Sequence, residues 1–155
     1  MNLKEPAFML KLCGREFFNE ELSCLGWQLA EILNPLKDYT QFHEWYIFDV
    51  TATSKAAITE LFPKNPQESF VVLSTDELID TVKRVIQFES GVFIAVQKGK
   101  EVNWDVDHLP DTEENEGLQH PLAEIEIRPF DYSYFEIYGN NNKVKKTILN
   151  YFGEN

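Results

Sequence analysis

With 155 residues, 43% of them apolar and 14% aromatic, the chain is large and apolar enough to fold as one domain around a real core, which excludes a disordered polypeptide. Its 26 acidic residues against 14 basic ones give a formal charge of −12. That field disfavours binding to nucleic acid or anionic membrane and favours basic partners, although it also serves solubility. Cys13 and Cys24 are the only cysteines, too few and too isolated for a metal site, and they read as reduced, mostly buried thiols in the cytosol. The N-terminal stretch Met1–Pro6 has no long apolar run, so neither a signal peptide nor a membrane span is expected, and a cytoplasmic location follows.

Ala7 to Cys13 reads as a first strand ended by Gly14. Asn19 is expected to cap a helix that starts at Glu20 and Glu21, with Leu22, Leu25, Leu29, Ile32 and Leu33 on its apolar face and Asn34-Pro35 as its stop. Glu44 to Thr51 is dense in aromatic and β-branched residues and nearly continuous in apolar character, the pattern of an interior strand covered on both faces. Thr53 or Ser54 should cap a short helix through Phe62, before a strand over Ser69 to Leu73.

Ser74-Thr75-Asp76-Glu77 fits a capping box, and Leu78, Ile79, Val82, Val85 and Ile86 would form the buried stripe of the helix it opens. Gly91 to Val96 reads as a buried strand, joined through Gln97–Lys100 to a hairpin partner over Glu101 to Val106. The segment Asp107 to His120 has no periodicity and is expected to be a long loop. Ala123 to Arg128 alternates as a strand with one wet face, Tyr132 to Tyr138 follows as another, and Val144, Ile148, Tyr151 and Phe152 mark a closing helix. The fold class expected is a single α+β domain, a mixed sheet of about six or seven strands flanked by about four helices.

Two stretches carry candidate function. Asp105, Asp107, Asp111, Glu113, Glu114 and Glu116 fall within twelve residues that hold no Lys or Arg, and Trp104 stands beside them. Carboxylates on an irregular segment suit a basic protein surface, with the tryptophan as an anchor; a solvated loop is the alternative. Tyr132, Tyr134, Glu136 and Tyr138 share one face of a strand, which makes either a polar-tipped aromatic strip for a partner or ordinary core. His108 and His120 lie near these acids, so a metal-dependent hydrolase is an alternative, but no metal-ligand spacing is present and no metal or other cofactor is expected. No nucleophile elbow, helical zinc motif or glycine-rich phosphate loop occurs, and no catalytic residue is assigned.

The order of elements, with Leu29-Ala30-Glu31-Ile32-Leu33-Asn34-Pro35, Trp45-Tyr46 and the late Tyr134-Phe135-Glu136-Ile137-Tyr138-Gly139-Asn140, resembles a family of small bacterial α/β proteins. In size, charge and composition the chain also resembles immunity proteins of bacterial toxin systems, including contact-dependent inhibition. That resemblance implies a non-enzymatic protein that binds and neutralises a cognate toxin domain, often a basic nuclease. A scaffold or ligand-binding module is the further alternative.

Overall fold

A computed structural model describes residues 3–64 and 67–153; Met1 and Asn2 of the N-terminal stretch read above lie outside it. Six strands form one sheet: β1 (Phe8–Leu12), β2 (His43–Ser54), β3 (Val71–Leu73), β4 (Val85–Gln97), β5 (Ile125–Phe130) and β6 (Tyr134–Gly139). Their order is β1-β6-β5-β4-β2-β3, and every neighbouring pair is antiparallel. The α+β class is as expected; the sheet is antiparallel throughout where a mixed one was expected. The helical connections β1 to β2 and β3 to β4 join strands that run the same way but skip over intervening strands, so no two parallel strands lie side by side.

The helices are α1 (Gly14–Phe18), α2 (Gly26–Leu33), α3 (Lys37–Thr40), α4 (Ile58–Leu61), α5 (Thr75–Val82) and α6 (Asn142–Tyr151), with a 3₁₀ turn at Asn34–Leu36. One face of the sheet carries the main core. Phe8, Leu12, Trp45, Ile47, Phe88, Phe93, Ile125, Ile127, Phe135 and Ile137 from the strands meet Leu29, Ile32, Leu33, Leu78, Val82, Val144 and Ile148 from the helices. The capping box forms as read: Ser74 Oγ accepts from the Glu77 N–H, and Glu77 Oε1 accepts from the Ser74 N–H.

Local departures from the sequence reading have identifiable causes. Asn19 ends α1 in the left-handed region instead of starting a helix, and Leu22 is exposed. The helix starts later because the buried Gln28 side chain holds its first turn, accepting from the Leu25 N–H and donating to the Leu22 carbonyl. Gly26 is needed there, since a Cβ would stand 2.0 Å from the Val85 carbonyl oxygen. Thr53 and Ser54 belong to β2, and α4 begins only after Ala57. Val85 and Ile86 belong to β4, not to α5.

The larger corrections concern the opposite face of the sheet. No strand forms over Glu101 to Val106; the partner of β4 on that side is β5. Val102 and Trp104 alternate because both are pressed onto the sheet face, with Phe48, Val92, Ile94 and Val96 beneath them. The supposed wet face of β5 is dry: Glu126 and Arg128 are both fully buried. The segment 98–124 lies across it as a second covering layer.

Arg128 is what fastens that layer. Its Nε donates to Glu126 Oε2 at 2.6 Å, and its terminal nitrogens donate to the carbonyls of Glu114 and Gly117 at 2.7 Å and of Asn115 at 3.3 Å. Glu126 also accepts from the Gln119 backbone and side-chain N–H groups, and Gln119 exchanges two further bonds with the Asp111 backbone. Every oxygen and nitrogen of the buried pair is thereby occupied, the condition under which burial of two charges is tolerable. Burial pushes the Glu126 carboxyl up from its ordinary value, and Arg128 and Gln119 pull it back.

Arg128→Met should therefore cost about 3–5 kcal/mol in urea denaturation, because it leaves Glu126 buried without its ion partner and strands three loop carbonyls. Adding Glu126→Met to it should recover part of that loss; a double variant as unstable as the sum of the singles would show that the two residues are not energetically coupled.

Candidate functional site

The covering segment is anchored at several places. Its Trp104 ring packs 4.6 Å from Phe48 and 4.4 Å from His120. Leu118 and Lys4 exchange backbone hydrogen bonds, and Lys4 Nζ donates to the carbonyls of Pro121 and Ala123. At its middle it meets a β-bulge in β2. Phe48 pairs with Val92 and Thr51 with Ser90, so Asp49 and Val50 together oppose Gly91. Asp49 takes a left-handed backbone conformation, φ 57°, which Asp tolerates better than most residues. The bulge turns its carboxylate toward the loop, where Oδ2 accepts from the Thr112 backbone N–H at 3.0 Å and its hydroxyl at 2.8 Å. Thr112 Oγ1 accepts in turn from the Gly91 N–H at 2.9 Å.

Beside this clamp lies a polar cleft of about 380 Å³ whose walls include Asp49, Glu89, Asp111, Glu113 and Asp131, with Phe130 and no Lys or Arg. The five carboxylates come from four places in the sequence: the β2 bulge, the middle of β4, the covering loop and the β5–β6 turn. Only Asp111 and Glu113 were recognised as candidates from the sequence. Asp49 had a signal, an acid breaking an otherwise apolar strand; Glu89 and Asp131 had none, since sheet register alone brings them here.

The remaining candidates divide by depth. Asp105, Asp107, Asp111, Glu113 and Glu116 are exposed and Glu114 is half-buried, so the acidic run does present carboxylates to solvent. Hydrogen bonds from the Asp107 N–H and from His108 hold Asp105 below the usual carboxylate range. Trp104 is half-buried and serves as an inward anchor of the loop. The tyrosine strip does not exist as a continuous surface. Tyr138 and Glu136 are buried, Tyr134 stacks on Phe130, and Tyr132 stands exposed in the β5–β6 turn with its hydroxyl donating to Glu89. The cover over β5 and β6 is the reason: the face that carries these side chains is the one under the loop.

The histidines do not converge. His108 pairs with Asp105 at the surface. His120 is buried, and both ring nitrogens are committed: Nδ1 accepts from the Leu122 N–H, which leaves Nε2 as the donor to the Asn103 carbonyl. Among the described residues no group of three or more His, Cys, Asp or Glu side chains is placed to hold a metal ion. Both cysteines are free, and burial pushes the Cys24 thiol up to about 12, the opposite of an activated nucleophile. A second cleft, about 360 Å³ and lined mainly by apolar residues such as Ile47, Val50, Ile58, Phe62 and Val71, opens on the other side of the bulge between β2, β3 and α4. No described helix is long and apolar enough to cross a membrane. No protein family matches the chain, and neither a curated protein nor a solved structure does.

Where the loop rejoins the sheet, Glu124 Oε1 accepts from Tyr39 Oη at 3.0 Å and bonds His43 Nε2 at 2.8 Å. Burial acts to raise this carboxyl, but the His43 and Tyr39 bonds outweigh it and hold it below its ordinary 4.5. A carboxyl depressed in the folded state stabilises the fold above its unfolded value and loses that contribution as pH falls through the folded one. The stability difference between the wild type and Glu124→Gln should thus be present at neutral pH and shrink progressively below pH 4.5, which denaturant titrations across that range would measure.

Proposed function

We propose that this protein is an inhibitory binding protein of the immunity type, acting in the cytoplasm, which captures a basic protein and masks the Lys or Arg side chains that partner uses on its own substrate. The observation that carries the reading is the acidic cleft together with the exposed carboxylates on the loop that walls it. The loop is held from beneath by its main chain, so its carboxylates are presented in fixed positions and binding need not order them first. The net charge of −12 would steer a basic partner to this face and make association fast and salt-sensitive. Tyr132, exposed at the cleft's edge, supplies an aromatic contact.

The apolar cleft beside α4 favours a second reading, a module that binds a small apolar ligand there. Saturable shifts of the Ile58 and Val71 methyl signals with apolar fragments, and no basic partner, would move the assignment to that cleft.

The test of the main reading is affinity capture from native cells with wild-type protein and with Glu89→Lys/Glu113→Lys, both verified as folded by circular dichroism. A basic protein should be retained by the wild type, lost in high salt, and held about tenfold less tightly by the variant, a difference of about 1.4 kcal/mol. Its toxic activity should be suppressed by the wild type alone. Retention unchanged by the charge reversal and by salt would remove the acidic face from the mechanism.

A further inference from the structure

On the helix side of the sheet, three short stretches bring five aromatic rings to the surface. Phe17 and Phe18 end α1, Trp27 lies in the first turn of α2, and Tyr151 and Phe152 close α6. The rings meet edge to face: Phe18 stands 5.8 Å from Trp27 and 5.0 Å from Phe152, and Tyr151 stands 5.1 Å from Phe152. Their inner members rest on the main core, but Trp27 is 43% and Tyr151 45% exposed. The rings wall a shallow depression with Glu16, Glu31 and Arg15, and Arg15 also lines an adjoining one walled by Glu20 and Glu21.

Core packing accounts for Phe17, Phe18 and Phe152 but not for Trp27. Trp27 lies off the buried stripe of α2, which runs through Leu29, Ile32 and Leu33, and a lysine or glutamate would serve an exposed position in that helix equally well. Clustered exposed aromatics mark interaction surfaces, because large stiff side chains bury much area at little entropic cost.

Charge selects the occupant. Glu16 and Glu31 rim the rings, and Glu20 and Glu21 wall the adjoining depression, against the single guanidinium of Arg15. A second copy of this chain would bring the same excess of negative charge and be repelled. An arginine or lysine side chain would meet ring faces and carboxylates together, the combination that favours a desolvated cation.

We propose that the Phe17/Phe18/Trp27/Tyr151/Phe152 surface is a docking site for an amphipathic, arginine-bearing segment of a partner protein. This surface is distinct from the acidic cleft and stands or falls separately from it.

The probe is a capped amphipathic Leu/Arg peptide, with a Leu/Glu peptide of the same pattern as control, titrated into the full chain and followed by ¹H–¹⁵N NMR. Among the indole N–H signals of the 3 tryptophans, that of Trp27 is the one lost in Trp27→Ala. It should shift saturably with the Arg peptide and not with the Glu peptide. Glu16→Lys, which leaves the rings and the bond from the Tyr151 hydroxyl to Glu31 in place, should weaken the titration by about fivefold or more. Three results would overturn the proposal: a Trp27 signal that stays still while amides of Glu89 and Glu113 move, equal shifts with both peptides, or Trp27 broadening with protein concentration alone, which would make the occupant a second copy.

Discussion

The pair formed by Arg128 and Glu126 is the constraint on which one whole side of this protein depends. A guanidinium and a carboxylate with no solvent exposure are costly to bury, and a pair of well-packed apolar residues could hold β5 in the sheet at least as well. What an apolar pair could not do is reach the loop. Arg128 spends one donor on Glu126 and the rest on three carbonyls of a segment that has no secondary structure of its own. A backbone lying across a sheet in this way has polar groups that water can no longer reach, and Arg128 and Gln119 satisfy part of that demand. The ion pair is in this sense a substitute for the strand or helix that would otherwise cover this face.

The two faces of the sheet follow different rules as a result. The helix side is an aliphatic and aromatic core of the usual kind. The loop side has a smaller apolar cluster under Trp104, Leu109, Leu118 and Leu122, and next to it a polar layer of Asp49, Thr112, Gln119, Glu126 and Arg128. Arg128 lies beneath the loop already paired with Glu126, so the acidic run on the outside lies over a charge-balanced layer.

This division also explains what could be read from the sequence. The strands at Ala7, Glu44, Gly91 and Tyr132, the capping box at Ser74 and the closing helix were legible, because period and caps are local signals. Ile125 and Ile127 announced β5, but Glu126 and Arg128 read as solvent-facing, since nothing local tells a wet strand face from one covered by a distant loop. The same blindness turned Val102 and Trp104 into a strand and left Tyr134, Glu136 and Tyr138 undecided between a surface strip and core. Of the site, the exposed acids of the loop were legible and Asp49 left a trace as an acid within an apolar strand; the contributions of Glu89 and Asp131 were not, because register and a turn bring them there. Trp27 could have been noticed as a large aromatic off its helix's apolar stripe.

Arg128 grips the loop through carbonyl oxygens, which every residue possesses. The side chains of Glu113, Asn115 and Glu116 take no part in that grip, and they face outward. Sequence at these positions is therefore uncoupled from the loop's path: residues there can be exchanged while the main chain keeps its course over β5. A surface built in this way can change its charge and shape by single substitutions without passing through unfolded intermediates, much as a fixed frame accepts different inserts.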